Sequence, residues 1–293
     1  PIVSIICITY NHEKFIREAI EGFLNQIVDF PIEIIIHDDA STDSTAKIIC
    51  EYASIYKDKI KPILQKENQK SKGLGIVSRT VFNAAQGKYI ALCEGDDYWT
   101  DPFKLQKQVD FLEANMDVSL TCTLKAVLRD GVITKHGAKQ SISYANTKNV
   151  LTDFIAPTQT MVFRNLKGLS EFLNQHPLIY GGDRAITYYA SLHGKIAILP
   201  FWGSIYRITK QGVSTGLSSR RKLIVRFQSS IDLHYSLNLG CNYLLIRTQL
   251  GSFFSLKLKD KVRLIILIAT QQLNLRYSLK DYAEAFLKKK MPL

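Results

Sequence analysis

Ile2-Val3-Ser4-Ile5-Ile6-Cys7-Ile8, continued by Thr9-Tyr10-Asn11-His12, decides how this chain is read. A nearly continuous apolar, β-branched run of this length is the mark of a strand buried on both faces. Phe15 to Ile27 then repeats apolar residues at helical spacing, and Ile32 to Ile36 is a second buried strand. The Ser/Thr/Asp cluster that follows suits the cap of a helix from about Ser44 to Tyr56, with Ser41 and Thr42 as expected capping residues. Lys61 to Leu64 reads as a weak third strand, residues 73–75 as a loop, Val77 to Ala85 as a helix and Tyr89 to Cys93 as a strong strand. The order β-α-β-α-β-α-β predicts an α/β fold with a mostly parallel, doubly wound sheet, because parallel neighbours need helical crossovers. Ligands of such sheets bind beyond the carboxyl ends of the strands, which directs attention to the residues after Ile8, Ile36 and Cys93.

Composition sets the outer bounds. With 293 residues, 46% hydrophobic and 22% charged, the chain can bury a core and is neither collagenous, low-complexity nor disordered. Its longest apolar run, Leu264 to Ala269, is far short of the roughly 20 residues of a membrane-spanning helix, and no secretion signal is expected. Five cysteines, odd in number and far apart, fit reduced thiols and a cytoplasmic location better than a disulfide framework. The net charge of +12 is uneven: residues 217–293 hold 14 Lys or Arg against 4 Asp or Glu, a net +10, which leaves +2 for residues 1–216. Such a basic segment suits an acidic surface, nucleic acid or the anionic face of a membrane, or is a solvated helical face.

The three strand ends carry Thr9-Tyr10-Asn11-His12, His37-Asp38-Asp39-Ala40-Ser41-Thr42-Asp43 and Glu94-Gly95-Asp96-Asp97-Tyr98-Trp99. Taken singly, an acid after a strand is most often a turn former or a helix cap. Taken together, carboxylates brought to one sheet edge repel one another unless a cation sits among them, and hard oxygen ligands suit Mg²⁺ or Mn²⁺, ions that also neutralise a diphosphate.

Strand-Thr9-Tyr10-Asn11, then Asp38 to Asp43, then Gly87-Lys88-Tyr89-Ile90 running into Glu94-Gly95-Asp96-Asp97-Tyr98-Trp99-Thr100-Asp101-Pro102, with Lys104-Leu105-Gln106-Lys107-Gln108 behind it, resembles the family two glycosyltransferases. The likeness is dense over residues 1–115 and sparser to about residue 216. It implies the GT-A fold, a Rossmann-like sheet flanked by helices. It also implies an inverting transfer of sugar from a nucleotide diphosphate donor to an acceptor hydroxyl.

By that resemblance Tyr10 packs on the base and Asp39 accepts the N3 proton of uracil, which makes a UDP-sugar the expected donor. Asp38 shapes the same turn or contacts ribose. Asp97 is the expected ligand of Mn²⁺ or Mg²⁺, with Asp96 toward ribose or a metal-bound water and Glu94 left open as a further participant. Arg79, with Lys72 nearby, is the candidate phosphate partner from the preceding loop. Ile155 to Asn165 resembles the strand before the acceptor helix, and Tyr180-Gly181-Gly182-Asp183-Arg184 opens that helix. A single displacement needs one base for the attacking hydroxyl, and Asp183 is the candidate; its other reading is a helix cap. Lys195 to Leu199 and Trp202 to Tyr206 are expected as strands. Arg207 either reaches the donor phosphates or pairs with a carboxylate under the sheet. Thr209 stands at or beside the place where the family pattern has a metal-ligating His, and neither His12 nor His37 shows metal spacing.

The expected organisation is thus a catalytic domain over residues 1–216, with a nucleotide-sugar half to 115 and an acceptor half from 116, followed by a basic helical segment, 217–293. The expected partners are the nucleotide-sugar, a glycan or lipid-linked acceptor of bacterial surface polysaccharide assembly, and an anionic membrane at the inner face. Arg220, Arg221, Lys222, Lys288, Lys289 and Lys290 are the expected membrane contacts. Two rivals remain. Nucleotidyl transfer to a sugar phosphate would want a Gly-rich loop and a Lys after the first strand, which Thr9 to His12 do not supply. A nucleic-acid-binding module would use aromatics among the basic residues, such as Tyr235 and Phe253; no nucleic-acid partner is expected.

Overall fold

The run that opens the sequence forms β1 (Val3–Thr9), an interior strand of a mixed ten-stranded sheet, in a computed structural model that describes residues 1–72, 76–135, 140–152, 156–175 and 182–209. All of these but Leu151 and Thr152 belong to one compact unit. The boundary expected at 216/217, the basic segment after it and the loop at 73–75 lie outside the described residues.

After β1 come α1 (Ile16–Leu24), β2 (Ile32–Asp38), α2 (Thr45–Ile55), β3 (Ile60–Leu64), α3 (Gln69–Lys72), α4 (Ile76–Ala84) and β4 (Tyr89–Leu92). These four strands lie in the order β3-β2-β1-β4, all parallel, as the alternation of strand and helix required. β5 (Tyr98–Trp99), α5 (Lys104–Ala114), β6 (Val118–Arg129), β7 (Val132–Lys135), β8 (Ser143–Ala145) and α6 (Thr147–Thr152) follow. A 3₁₀ turn (Thr158–Thr160), β9 (Val162–Arg164), α7 (Leu169–Gln175), α8 (Gly182–His193) and β10 (Lys195–Arg207) end the described chain. β9 lies antiparallel between β4 and β6, so beyond β4 the sheet is mixed, while β10 runs parallel to β6.

Lys195 to Tyr206 was expected as two strands and is one. Pro200 has no N–H to give, and the ladder with β6 slips between Leu199 and Trp202 and again between Trp202 and Ser204 instead of breaking. That continuity matters, because it carries Arg207 to the sheet edge where β4 ends. A second difference concerns the cap of α2. Asp43 Oδ1 accepts the Thr45 amide at 2.9 Å, whereas Ser41 Oγ accepts the Asn11 amide at 2.8 Å and Asn11 Oδ1 accepts the Thr42 amide at 2.8 Å. Ser41 and Thr42 therefore fasten the β2–α2 loop to the β1–α1 loop rather than capping the helix. Asn11 (φ 55°) and Ala40 (φ 62°) both take left-handed backbone to make this join, a conformation that costs Ala about 1–2 kcal/mol.

The apolar core lies between β1, β2, β4 and helices α1, α2 and α5, with Phe23 edge-on to Trp99 at 4.9 Å between ring centroids. At the amino ends of the strands sits a buried polar knot. Glu33, 3% exposed, accepts from Ser4 Oγ at 2.5 Å, Lys61 Nζ at 2.5 Å and the Gln86 amide at 2.8 Å, and Ser4 Oγ accepts the Gly87 amide at 2.7 Å. A Cβ on Gly87 would lie 2.5 Å from the Ser4 nitrogen, so glycine is required where β4 enters beside β1. Burial pushes the Glu33 carboxyl up, but the bonds from Lys61, Ser4 and the Gln86 amide outweigh it and hold the group below its ordinary value.

A depressed carboxyl stabilises the fold above its unfolded pKa, roughly 4.3, and the contribution is lost as pH falls through the lower folded value. Glu33→Ala is expected to cost about 2 kcal/mol at neutral pH, by leaving Ser4 and Lys61 unpaired. In urea titrations that difference should shrink as pH drops below about 4; a difference that stays constant into strong acid would contradict the assignment.

Candidate active site

The chain leaves β4 without leaving β1: the Cys93 amide donates to the Ile6 carbonyl at 3.1 Å and the Gly95 amide to the Ile8 carbonyl at 3.0 Å. Gly95 is what allows it, since a Cβ there would lie 2.6 Å from Thr9 Oγ1 and 3.1 Å from His12 Nδ1. The acidic segment is thereby pressed against the end of β1, and a turn closed by the Asp97 amide on the Glu94 carbonyl (3.1 Å) gathers its side chains. One carboxylate oxygen from each of Glu94, Asp96 and Asp97 lies within 4.8 Å of the others.

Asp97 is 1% exposed. Its Oδ1 accepts the Arg207 amide at 2.8 Å, and its buried Oδ2 has no hydrogen-bond partner. A buried carboxylate oxygen without a donor is costly unless a cation completes it. Burial, then the charge of Asp96, pushes the Asp97 carboxyl well above the ordinary range. Glu94 is exposed as a residue, yet the protein crowded around its carboxyl, joined by the charges of Asp96 and Asp183, pushes it up to about 7. An orphaned oxygen, three convergent carboxylates and an all-oxygen donor set fit a hard divalent ion. His12 Nε2 lies 4.0 Å from Asp96 Oδ2, while burial lowers the imidazole's pKa against the pull of Asp96.

The other sequence candidates are distributed around this centre. Asp38, 1% exposed, accepts the Ser41 amide at 3.0 Å and the Ser41 hydroxyl, and so shapes the loop. Asp39, 3% exposed, accepts the Gln69 amide at 2.7 Å and the Lys70 amide at 3.1 Å, holding the start of α3 over the same edge. Tyr10 is 44% exposed at the rim. Asp183 lies in the first turn of α8, where its Oδ1 accepts the Arg184 amide at 2.8 Å; burial raises its pKa, and its charge is felt by Glu94. Asp183 thus satisfies an amide of the helix's first turn while its charge reaches Glu94.

Of the two arginines expected at phosphate, neither guanidinium pairs with the carboxylates of Glu94, Asp96 or Asp97. Arg79, on the exposed side of α4, donates to Asn174 Oδ1 at 3.2 Å, and nearby Lys72 pairs with Glu67 at 2.5 Å. Arg207 Nε donates to the Asp96 carbonyl at 2.9 Å, and its NH2 pairs with Glu18. Its guanidinium lies between the rings of Phe15 (4.8 Å) and Tyr98 (5.0 Å). The Arg207 side chain thus pairs with a carboxylate, that of Glu18, and its main-chain amide touches Asp97. Thr209 is the last described residue, just beyond β10.

Two cations that the motifs did not single out face the acids. Lys70 is felt by Glu94 and His12, and Lys125 by Asp97 and Asp183. The available signal for Lys125 was a charge interrupting an apolar strand, Leu124-Lys125-Ala126-Val127-Leu128.

Comparison with known proteins accords with this geometry. Residues 4–167 match the family model described as Glycosyl transferase family 2. The chain belongs to that family. Rv1520 of Mycobacterium tuberculosis is 36% identical over 226 residues, 75% of this chain and 63% of that protein, so the chain spans somewhat under two thirds of that relative. Staphylococcus aureus TarS 1-349, solved in complex with UDP-GlcNAc, has a TM-score of 0.64 at 19% identity over 89% of this chain and 79% of its own. The mannosyltransferase PcManGT of Pyrobaculum calidifontis, solved in complex with GDP-Man and Mn²⁺, has a TM-score of 0.57 at 18% identity over 99% and 84%. The fold is the α/β GT-A arrangement of these neighbours. No helix among the described residues is long and apolar enough to cross a membrane.

A carboxyl raised in the folded state stabilises below its unfolded pKa, roughly 4.3, and loses that contribution as pH rises through the folded value. With Glu94 at about 7, the metal-free chain should lose stability between these limits. Mn²⁺, which binds the ionised form, should then raise the melting temperature more at pH 8 than at pH 6. Equal Mn²⁺ shifts at the two pH values would contradict the metal-site reading.

Proposed function

We propose that the chain transfers a sugar, with inversion, from a nucleoside diphosphate sugar to a hydroxyl of a glycan or lipid-linked acceptor. The observation that carries this reading is the buried, unpartnered Oδ2 of Asp97 beside Glu94 and Asp96, at the carboxyl end of a parallel sheet in a family two chain. Mn²⁺ or Mg²⁺ held by Asp97 with Glu94 and Asp96 would supply positive charge to the diphosphate as the glycosidic bond breaks. Asp39 and Tyr10 read the base: each Asp39 oxygen keeps a second lone pair beyond its backbone bond, enough to accept a pyrimidine N3 proton. This supports a uridine donor, as in the TarS complex; the guanosine donor of PcManGT is the competing precedent. Asp96 faces ribose or a water on the ion, and Asp38 keeps the loop in shape beneath them.

Asp183 is the base. Its Oδ1 is occupied by the Arg184 amide, so Oδ2 takes the proton from the attacking hydroxyl. The raised pKa keeps that carboxylate basic enough for the task. A domain of residues 1–216 would perform this chemistry, with acceptor contacts from residue 116 onward. The net +10 of residues 217–293 supports attachment to an anionic membrane face, where lipid-linked acceptors reside.

Asp183→Asn is expected to cut turnover by roughly 10²- to 10⁴-fold with donor affinity nearly intact, and chelation or Asp97→Ala to abolish nucleotide release from the donor. Full activity in excess chelator, or loss of donor affinity in Asp183→Asn, would overturn the respective role. In vesicle sedimentation the full chain should pellet with anionic lipid at low salt and be released as salt rises. Equal recovery in the supernatant with anionic and neutral vesicles would remove the membrane role.

A further inference from the structure

Around the carboxylates two cations, Lys70 and Lys125, make no side-chain hydrogen bond or ion pair with the described residues, and of the two only Lys125 carries its charge to both Asp97 and Asp183. Arg79 is engaged by Asn174, Lys72 by Glu67, and Arg207 by Glu18 and the Asp96 carbonyl. Lys104 is fully buried with its ammonium over the Trp99 ring at 4.2 Å, inside the core and shut off from any substrate. Lys125 differs from all of these. It is half-buried on β6, and its ammonium makes no hydrogen bond or ion pair with the described residues.

Its place is fixed by strand register. Lys125 is paired with Ser204 on the parallel strand β10, which puts Tyr206 diagonally ahead on the same face, and the Lys125 ammonium lies 4.8 Å from the centre of that ring. Tyr206 adjoins Arg207, whose amide holds Asp97 Oδ1 at 2.8 Å. On the other side of β10, Ser204 pairs with Trp99 of β5, two residues beyond Asp97, and the charge of Lys125 reaches both Asp97 and Asp183.

We propose that Lys125 binds the diphosphate of the donor, donating to an oxygen of the β-phosphoryl group that leaves with the nucleotide. The inference rests on the sugar-transfer reading above. In that transfer the acceptor oxygen bonds to the anomeric carbon, the bond from that carbon to the β-phosphoryl oxygen breaks, its electron pair stays on the departing diphosphate, and the acceptor proton passes to Asp183. The reacting carbon lies between the diphosphate and the base. A cation on the strand next to β10, whose charge reaches both Asp97 and Asp183, thus serves the oxygen on which negative charge develops, and stabilises that charge more in the transition state than in the bound donor. The Tyr206 ring under the ammonium holds it without neutralising it.

Calorimetric titration of the full chain in Mn²⁺ with UDP and with UMP, for the parent, K125M and K125R, tests this assignment. GDP and GMP replace them if the parent prefers a purine. K125M should weaken the diphosphate by about 10- to 100-fold and the monophosphate by no more than about twofold, and K125R should keep most of the diphosphate affinity. Retained monophosphate binding also reports that the variant is folded. Diphosphate affinity in K125M equal to the parent's would overturn the assignment, as would equal losses for diphosphate and monophosphate. A parent that binds neither diphosphate would overturn the donor reading itself, and the parent's own titration tells that failure from the failure of Lys125.

Discussion

The arrangement depends on keeping Asp97 buried and charged. One oxygen is fixed by a single backbone amide, that of Arg207, and the other is left with no protein donor at all. Desolvating a carboxylate in this way is unfavourable by several kcal/mol unless a cation compensates, so the surrounding elements must hold the group where a cation can reach it. Gly95 lets the acidic turn close on Thr9 and His12, and β10 runs past its Pro200 slip to bring Arg207 into place. The Arg207 side chain, stacked between Phe15 and Tyr98 and tied to Glu18, secures the turn from behind.

The two ends of the parallel strands are used in opposite ways. At the amino ends Glu33 is satisfied by Ser4, Lys61 and the Gln86 amide, and its charge stabilises the fold. At the carboxyl ends the acids outnumber their partners, and their raised pKa values register the cost. The segment Lys104 to Gln108 belongs to neither end. Gln108 donates to Thr121 Oγ1 at 3.1 Å and the Thr160 carbonyl at 3.0 Å, joining α5 to β6 and to the turn before β9, while burial takes the Lys104 ammonium down to about 7 beneath Trp99. That motif builds the floor on which β5 and the acidic turn rest.

Local pattern was enough for β1 to β4 and for α1, α2 and α4, because buried parallel strands are written as apolar runs and their crossovers as amphipathic repeats, but α3, β5 and α5 were not read from it. It also directed attention to the carboxyl ends of the strands, where Glu94, Asp96 and Asp97 converge, whereas Asp183 was named only by the resemblance to the family. It failed where a side chain's destination is set by a distant partner. Arg207 pairs with a residue 189 positions away, and Ser41 answers to Asn11 rather than to the helix beside it. Lys125 could not be read as a site residue until the β6–β10 register put it next to Tyr206. The continuity of β10 through Pro200 was hidden for the same reason, since a ladder that slips leaves no mark in the sequence.

The central claim is that the orphaned oxygen of Asp97 belongs to a divalent ion that carries the donor diphosphate. Crystals of the full chain grown with Mn²⁺ and a nucleoside diphosphate, measured at the manganese absorption edge, test it most directly. The account predicts an anomalous peak among Glu94, Asp96 and Asp97, in contact with Asp97 Oδ2 and with the diphosphate. A bound diphosphate with no anomalous peak at these carboxylates would contradict it.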